Sequence, residues 1–203
     1  QPGAKVYVET PSYLSSLNIF QSVGARLCNM PMDEEGLLPW MSRETQNDSN
    51  HALLYTIPTF QNPTGIVMPM PRRKKLLQYC NEMHIPIIED DVFRDLWLDA
   101  PPPPPIKSLD GHGNVVYISS LSKCFAPGLR LGWLVGPEAV VQRLADVKMQ
   151  MDYGVSVLTQ QVAEELLRTG LYEKGVQNIR SQLTERRDFM IRLLERYFSE
   201  FAE

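Results

Sequence analysis

Cysteine is scarce in this chain. Cys28, Cys80 and Cys124 form an odd, scattered set, which argues against a disulfide framework and for free thiols in a reducing, cytoplasmic compartment. No apolar run approaches the length of a membrane span, and no signal-peptide pattern is present. Net positive charge is also missing: the formal charge of −4 gives this segment no electrostatic reason to bind nucleic acid. There is no internal repeat or low-complexity tail, and no metal site is expected. What remains is an ordinary globular composition, 43% hydrophobic and 22% charged, over 203 residues, enough for one domain with a proper core.

The pattern along the chain alternates. Lys5-Val6-Tyr7-Val8-Glu9 reads as a strand, Thr10-Pro11-Ser12-Tyr13 as a turn, and residues 13–23 as a helix with Leu14, Leu17, Ile19, Phe20 and Val23 at helical spacing. Residues 24–30 read as a short strand, followed by a polar loop through Gly36. Leu53-Leu54-Tyr55-Thr56-Ile57 is a further strand, 71–83 an amphipathic helix, and Ile85-Pro86-Ile87-Ile88 a buried strand ending in Glu89-Asp90-Asp91. The basic run Arg72-Arg73-Lys74-Lys75 reads as a solvated helix face, since no aromatics interleave with it. Five prolines, 101–105, predict a stiff polyproline II-like spacer on the surface. Helices follow over 137–151 and 156–169, and the remainder, 171–201, is one long charged amphipathic helix, broken at most once. Strand–helix–strand units at this spacing predict right-handed crossovers and an α/β fold with a mostly parallel sheet flanked by helices.

The chain is organised around one stretch. Val115-Val116-Tyr117-Ile118 leads into Ser120, Ser122 and Lys123, a Pro127-Gly128 turn, Arg130, and a second apolar run, Leu131-Gly132-Trp133-Leu134-Val135. A lysine there sits at a strand end, where open α/β sheets bind ligands. Partly desolvated, it can lose its proton and trap a carbonyl group. Arg130 adds a fork suited to phosphate, and Ser120 a small donor. A lysine beside a serine is ordinarily a solvated surface charge. Two further stretches change that reading: Gln61-Asn62-Pro63-Thr64-Gly65 after one strand, and Glu89-Asp90-Asp91-Val92-Phe93 after another. A parallel sheet brings Asn62, Asp90 and Lys123 to one edge.

The order Asn62, Asp90, Lys123, Arg130 resembles the fold-type I pyridoxal 5'-phosphate (PLP) enzymes, specifically the class I/II aminotransferases. The resemblance implies PLP as cofactor and Lys123 as the catalytic residue, holding PLP as a Schiff base and shuttling the substrate's α-proton. Asp90 would pair with the pyridine nitrogen, Asn62 would hydrogen-bond the phenolic oxygen, and Ser120 and Arg130 would hold the phosphate, with Ser122 as a lesser candidate. Tyr13 falls where an aromatic ring commonly stacks on the pyridine, and packing in its turn is an equal reading. Glu89 and Asp91 rival Asp90; the family's strand-end pattern favours Asp90, with Asp91 in support. Cys124 is a packed neighbour of the lysine rather than a redox thiol.

Departures from the pattern matter as well. Phe93 stands where the family usually has a tyrosine whose hydroxyl assists the phenolic oxygen. The family's phosphate loop is expected before residue 1 and its carboxylate-binding arginine beyond Glu203. The chain thus resembles the central part of the large domain, with residues 1–170 the PLP-binding segment and 171–203 a helix leading toward a small domain. Such a piece is not expected to complete a transamination alone. Glu89-Asp90-Asp91-Val92-Phe93-Arg94-Asp95-Leu96, the proline run and Lys148-Met149-Gln150-Met151-Asp152-Tyr153-Gly154 are most similar to the aminotransferase-like domain of MocR-type regulators of the GntR family. That resemblance implies an amino acid or amine as effector, a homodimer of the full-length protein, and DNA contact only through another domain. The alternatives are a free-standing aminotransferase acting on an amino acid and a 2-oxo acid, a relative performing β-elimination at a C–S bond, and a domain that has lost its cofactor.

Overall fold

Each strand alternates, and the alternation divides its residues between two layers. The computed structural model describes residues 2–39 and 52–198. Six strands form the main sheet: β1 (Lys5–Glu9), β2 (Arg26–Met30), β5 (Ala52–Thr56), β6 (Ile87–Asp90), β7 (Val115–Ser120) and β8 (Gly132–Val135). Their order is β2-β1-β5-β6-β7-β8; all pairs are parallel except β7 with β8, which is antiparallel. Two short strands, β3 (Met32–Asp33) and β4 (Gly36–Leu37), make a small hairpin where a polar loop was expected.

The helices are α1 (Leu14–Ser22), α2 (Met70–Glu82), the single turn α3 (Leu121–Cys124), α4 (Glu138–Asp152), α5 (Val157–Arg168) and α6 (Leu171–Phe198). Tyr7, Leu54, Ile87 and Val115 point to one face of the sheet and bury against Leu76, Leu77 and Cys80 of α2. Val6, Val8, Tyr55 and Ile57 point to the other, against Leu17 and Phe20 of α1. Because side chains alternate, residues 87 and 89 belong to the α2 face and residues 88 and 90 to the α1 face. Among the described residues no helix is long and apolar enough to cross a membrane.

Three expectations are changed or made definite. The first concerns the basic run at the start of α2. Arg72 and Arg73 are buried, Arg73 completely. Arg72 holds the hairpin through Asp33, Glu35 and the Leu37 carbonyl, and Arg73 donates to the Pro58 and Met68 carbonyls and to the Thr59 hydroxyl. Only Lys74 and Lys75 remain exposed. Second, α6 runs unbroken over its 28 residues; the end of the helix expected over 171–201 lies outside the described residues. Third, the proline run does more than space the chain, because the Pro103 carbonyl accepts from Arg94 and the Pro104 carbonyl from Arg73.

Candidate functional site

β5, β6 and β7 are adjacent and parallel, so their carboxyl ends open onto the same edge. The chain leaves β1 toward β2 on one side and resumes at β5 on the other. The β1/β5 junction is therefore a topological switch point, the crevice where open α/β sheets accept ligands. Glu9 ends β1 in that crevice, fully buried, accepting from the Thr56 hydroxyl (2.5 Å), the Ile57 amide (3.1 Å) and Gln61 Nε2 (3.1 Å). Burial pushes its carboxyl above the usual range, and these donors oppose the rise.

Gln61 shapes the turn that carries Asn62. Its Nε2 also donates to the Pro11 carbonyl at 2.8 Å, while its Oε1 accepts from the Thr64 amide and hydroxyl. Asn62, joined to Pro63 by a cis peptide, lines a cleft of about 380 Å³ with Phe60, Phe93 and Leu96. Lys123 Nζ stands 5.9 Å from the centre of the Phe93 ring, within cation–π range. Phe93 is thus a neighbour common to the cleft that Asn62 lines and to Lys123. Lys123 is exposed, not partly desolvated as expected. Its helix is only one turn long, and a charged terminus on a flexible stem reaches solvent readily.

Strand parity separates the three neighbouring acids. Glu89 falls on the α2 face, where it accepts the Ile106 and Lys107 amides and lies 3.6 Å from Arg73. Asp91, completely buried, pairs with Arg94. Asp90 falls on the α1 face, where Tyr55 donates to its Oδ2 at 2.7 Å. Its Oδ1 is buried without a hydrogen-bond partner. Burial raises the Asp90 carboxyl; the Tyr55 hydroxyl, the Val92 amide and, more weakly, the Lys123 ammonium pull it back, while Asp91 adds to the rise.

The remaining expected residues are placed less centrally. Ser120 Oγ caps α3 by accepting the Ser122 amide at 3.1 Å and donates to the Leu131 carbonyl at 3.0 Å, so its proton is already engaged. Arg130 is exposed, in the left-handed region (φ 50°), with Nη1 3.5 Å from the Pro127 carbonyl. Tyr13 precedes α1 and is 36% exposed, with its carbonyl accepting the Ser16 and Leu17 amides. Ser16 in turn meets the Tyr55 hydroxyl at 2.9 Å, which places Tyr13 one helical turn from the Asp90 network. Sequence reasoning missed Tyr55, Ser16, Glu9 and Gln61. Parity of Tyr55 with Asp90 across neighbouring strands was the available signal, and it needed the strand order to become readable.

A mostly parallel sheet with a half-paired buried acid at one strand end and a lysine just past the next defines an α/β domain with a candidate site at its carboxyl edge. The chain belongs to the family Aminotransferase class I and II, which matches residues 1–202. It is 50% identical over its full length to 42% of the uncharacterized HTH-type transcriptional regulator YdfD of Bacillus subtilis (strain 168). It is 39% identical, over 98% of its length, to 45% of the HTH-type transcriptional regulator NorG of Staphylococcus aureus. Among solved structures, the kynurenine aminotransferase of Pyrococcus horikoshii, in complex with PMP, superposes with a TM-score of 0.90 at 35% identity, over 96% of this chain and 50% of that one. The α-aminoadipate aminotransferase LysN of Thermus thermophilus gives 0.87 at 31% identity, over 98% and 51%. The chain is an aminotransferase-like domain that spans about half the length of these relatives.

Proposed function

We propose that this chain is the PLP-binding, effector-sensing domain of a MocR/GntR-type transcriptional regulator, whose DNA contacts are made by a segment outside this sequence. The observation that carries the regulator reading is the 50% identity to an HTH-type regulator along the whole chain. The likeness to free-standing aminotransferases at 35% identity supports the second reading, an aminotransferase acting on an amino acid and a 2-oxo acid.

The residues present fit the cofactor. Asp90 Oδ1 is a buried carboxylate oxygen without a donor, the partner a protonated pyridine nitrogen requires, and an opposite charge keeps such a nitrogen protonated. Lys123 holds the cofactor's carbonyl carbon and moves a proton at its own Nζ. Asn62 hydrogen-bonds the phenolic oxygen, without help from Phe93, which has no hydroxyl. Ser120 and Arg130 take the phosphate, Ser120 by exchanging its bond to Leu131, and Tyr13 lies against the ring. When bound, PLP would supply an electron sink for negative charge at the carbon that bears its ligand's amine. That ligand is an amino acid or amine.

The protein is a cytoplasmic homodimer in this reading. Free Cys80 and Cys124, both buried, are consistent with a reducing compartment. Exposed Val140, Leu144, Val147 and Met151 on α4, with Phe189, Ile191 and Leu194 on α6, are consistent with packing against the rest of the protein. The intact mass of the native protein tests the reading. A winged-helix domain and linker add about a hundred residues to an aminotransferase-sized chain. A mass without that addition would replace the regulator by the enzyme.

A further inference from the structure

We infer that Tyr55, held by Ser16, is the positioning residue for Asp90: it fixes one carboxylate oxygen so that the other is presented, ionised, to a cationic ring N–H. The inference rests on the cofactor reading for the identity of that ring, and on geometry for the rest.

Tyr55 sits on β5 opposite Ile88 of β6, so its side chain shares the α1 face with Asp90 two residues on. The ring is 2% exposed and meets the edge of Phe20 at 5.4 Å and 66°, which fixes its orientation. A phenol has one proton to give. It goes to Asp90 Oδ2, since an ionised carboxylate only accepts. The 2.9 Å contact with Ser16 must then run the other way, Ser16 Oγ donating to the Tyr55 oxygen. A directed chain, Ser16 to Tyr55 to Asp90, leads from helix α1 to the sheet edge, and hydrogen bonds in such a chain polarise one another.

This arrangement satisfies Oδ2 and leaves Oδ1 as the oxygen still seeking a donor. Without the phenol Oδ2 loses its side-chain donor, and the buried carboxyl, left with the weaker pull of the Val92 amide and Lys123, is driven further toward its neutral form. The other charged groups that act on this pair are Asp91, Glu9 and Lys123. Asp91 raises the Asp90 carboxyl and Lys123 lowers it, while burial first, then Asp90 and more weakly Glu9, push the Tyr55 phenol up. Tyr55 is the foremost of the groups that lower Asp90.

The test uses Tyr55→Phe and Ser16→Ala, with the Asp90 carboxyl followed by carbon NMR in the protein without PLP and assigned by its absence in Asp90→Asn. A hydrogen bond to the charged form holds a carboxyl pKa down, so Tyr55→Phe is expected to raise the Asp90 pKa by about one pH unit or more, and Ser16→Ala by less. PLP affinity, measured separately, falls about tenfold or more in Tyr55→Phe, and its fall steepens with rising proton concentration. An unchanged Asp90 titration in a folded Tyr55→Phe protein, or an equal response to substitution of the remote Tyr79→Phe, overturns the inference. Ser16→Ala removes one part-buried hydroxyl from α1, leaves the Tyr55 ring in place, and decides the same question should Tyr55→Phe fail to fold. A parent protein that takes up no PLP contradicts the cofactor reading instead, and the Asp90 titration still decides the role of Tyr55.

Discussion

Arg180 lays its guanidinium over the Trp97 ring, 3.2 Å from its centre. The contact is the middle rung of three between the segment after β6 and helix α6. Tyr172 donates to Asp95 Oδ2 at 2.5 Å below it, and Arg187 pairs with Asp99 at 2.7 Å above it. Residues 172, 180 and 187 recur at about two helical turns and share one face, while 95, 97 and 99 come from the short 3-10 turn Arg94–Leu96 and the bend that follows it. Asp90, Asp91 and Phe93 immediately precede the ladder, and Tyr172 also meets Cys124, the neighbour of Lys123, at 3.1 Å. The long helix is thereby tied to both sides of the candidate site.

Trp97→Ala should remove the middle rung. A stacked guanidinium contributes about 0.5–2 kcal/mol, and the large ring adds its buried area. The expected outcome is faster amide hydrogen exchange across the first half of α6 with β5, β6 and β7 unchanged. Uniform acceleration throughout the domain would show that the helix and sheet open together.

Gly175 reverses the usual helix rule. Alanine in a helix interior is ordinarily better than glycine by about 1 kcal/mol. A Cβ at Gly175 would lie 2.5 Å from Phe125 Cε2, so the ring two residues after Lys123 must shift. Gly175→Ala should destabilise by about 1–3 kcal/mol in urea unfolding, as overpacking does. A gain in stability would mean that Phe125 moves freely.

The buried Arg73–Glu89 pair has a pH signature. Burial lifts the Glu89 carboxyl from 4.5 to about 7, against the opposing pull of the Lys107 and Ile106 amides and Arg73. A carboxyl raised in the folded state stabilises fully below its unfolded value and loses that contribution as pH climbs through the folded one. Stability should therefore fall between pH 4.5 and 7, by up to about 3 kcal/mol from this group. Glu89→Gln should flatten that slope in urea midpoints measured across the window. Arg73→Met, which leaves Glu89 only the Ile106 and Lys107 amides and removes the Arg73 bonds to the Pro58 and Met68 carbonyls, should destabilise at neutral pH, with a lowered urea midpoint.

Much of the fold was legible because period and punctuation agree. Each expected strand and helix has a counterpart, and the strand ends bearing Asn62, Asp90 and Lys123 lie on one edge of adjacent strands. Burial of charge was not legible. Arg72 and Arg73 look like a solvated run until the hairpin acids and the carbonyls of residues 58 and 68 are placed beside them, and such partners are remote in sequence. Tyr55 reads as a core aromatic for the same reason; only the pairing of β5 with β6 puts its hydroxyl on Asp90. The cap that Ser120 supplies to the four-residue helix after it was not legible either, because it depends on where that single turn starts.

The central claim is that Lys123 carries PLP in a site completed by Asp90. Its most direct test is borohydride reduction of the native protein with PLP, followed by peptide mapping. The account predicts a single pyridoxyl adduct on the peptide containing Lys123, lost in Lys123→Ala and strongly reduced in Asp90→Asn. An adduct spread over other lysines, or none on Lys123 in the full-length protein, would contradict it.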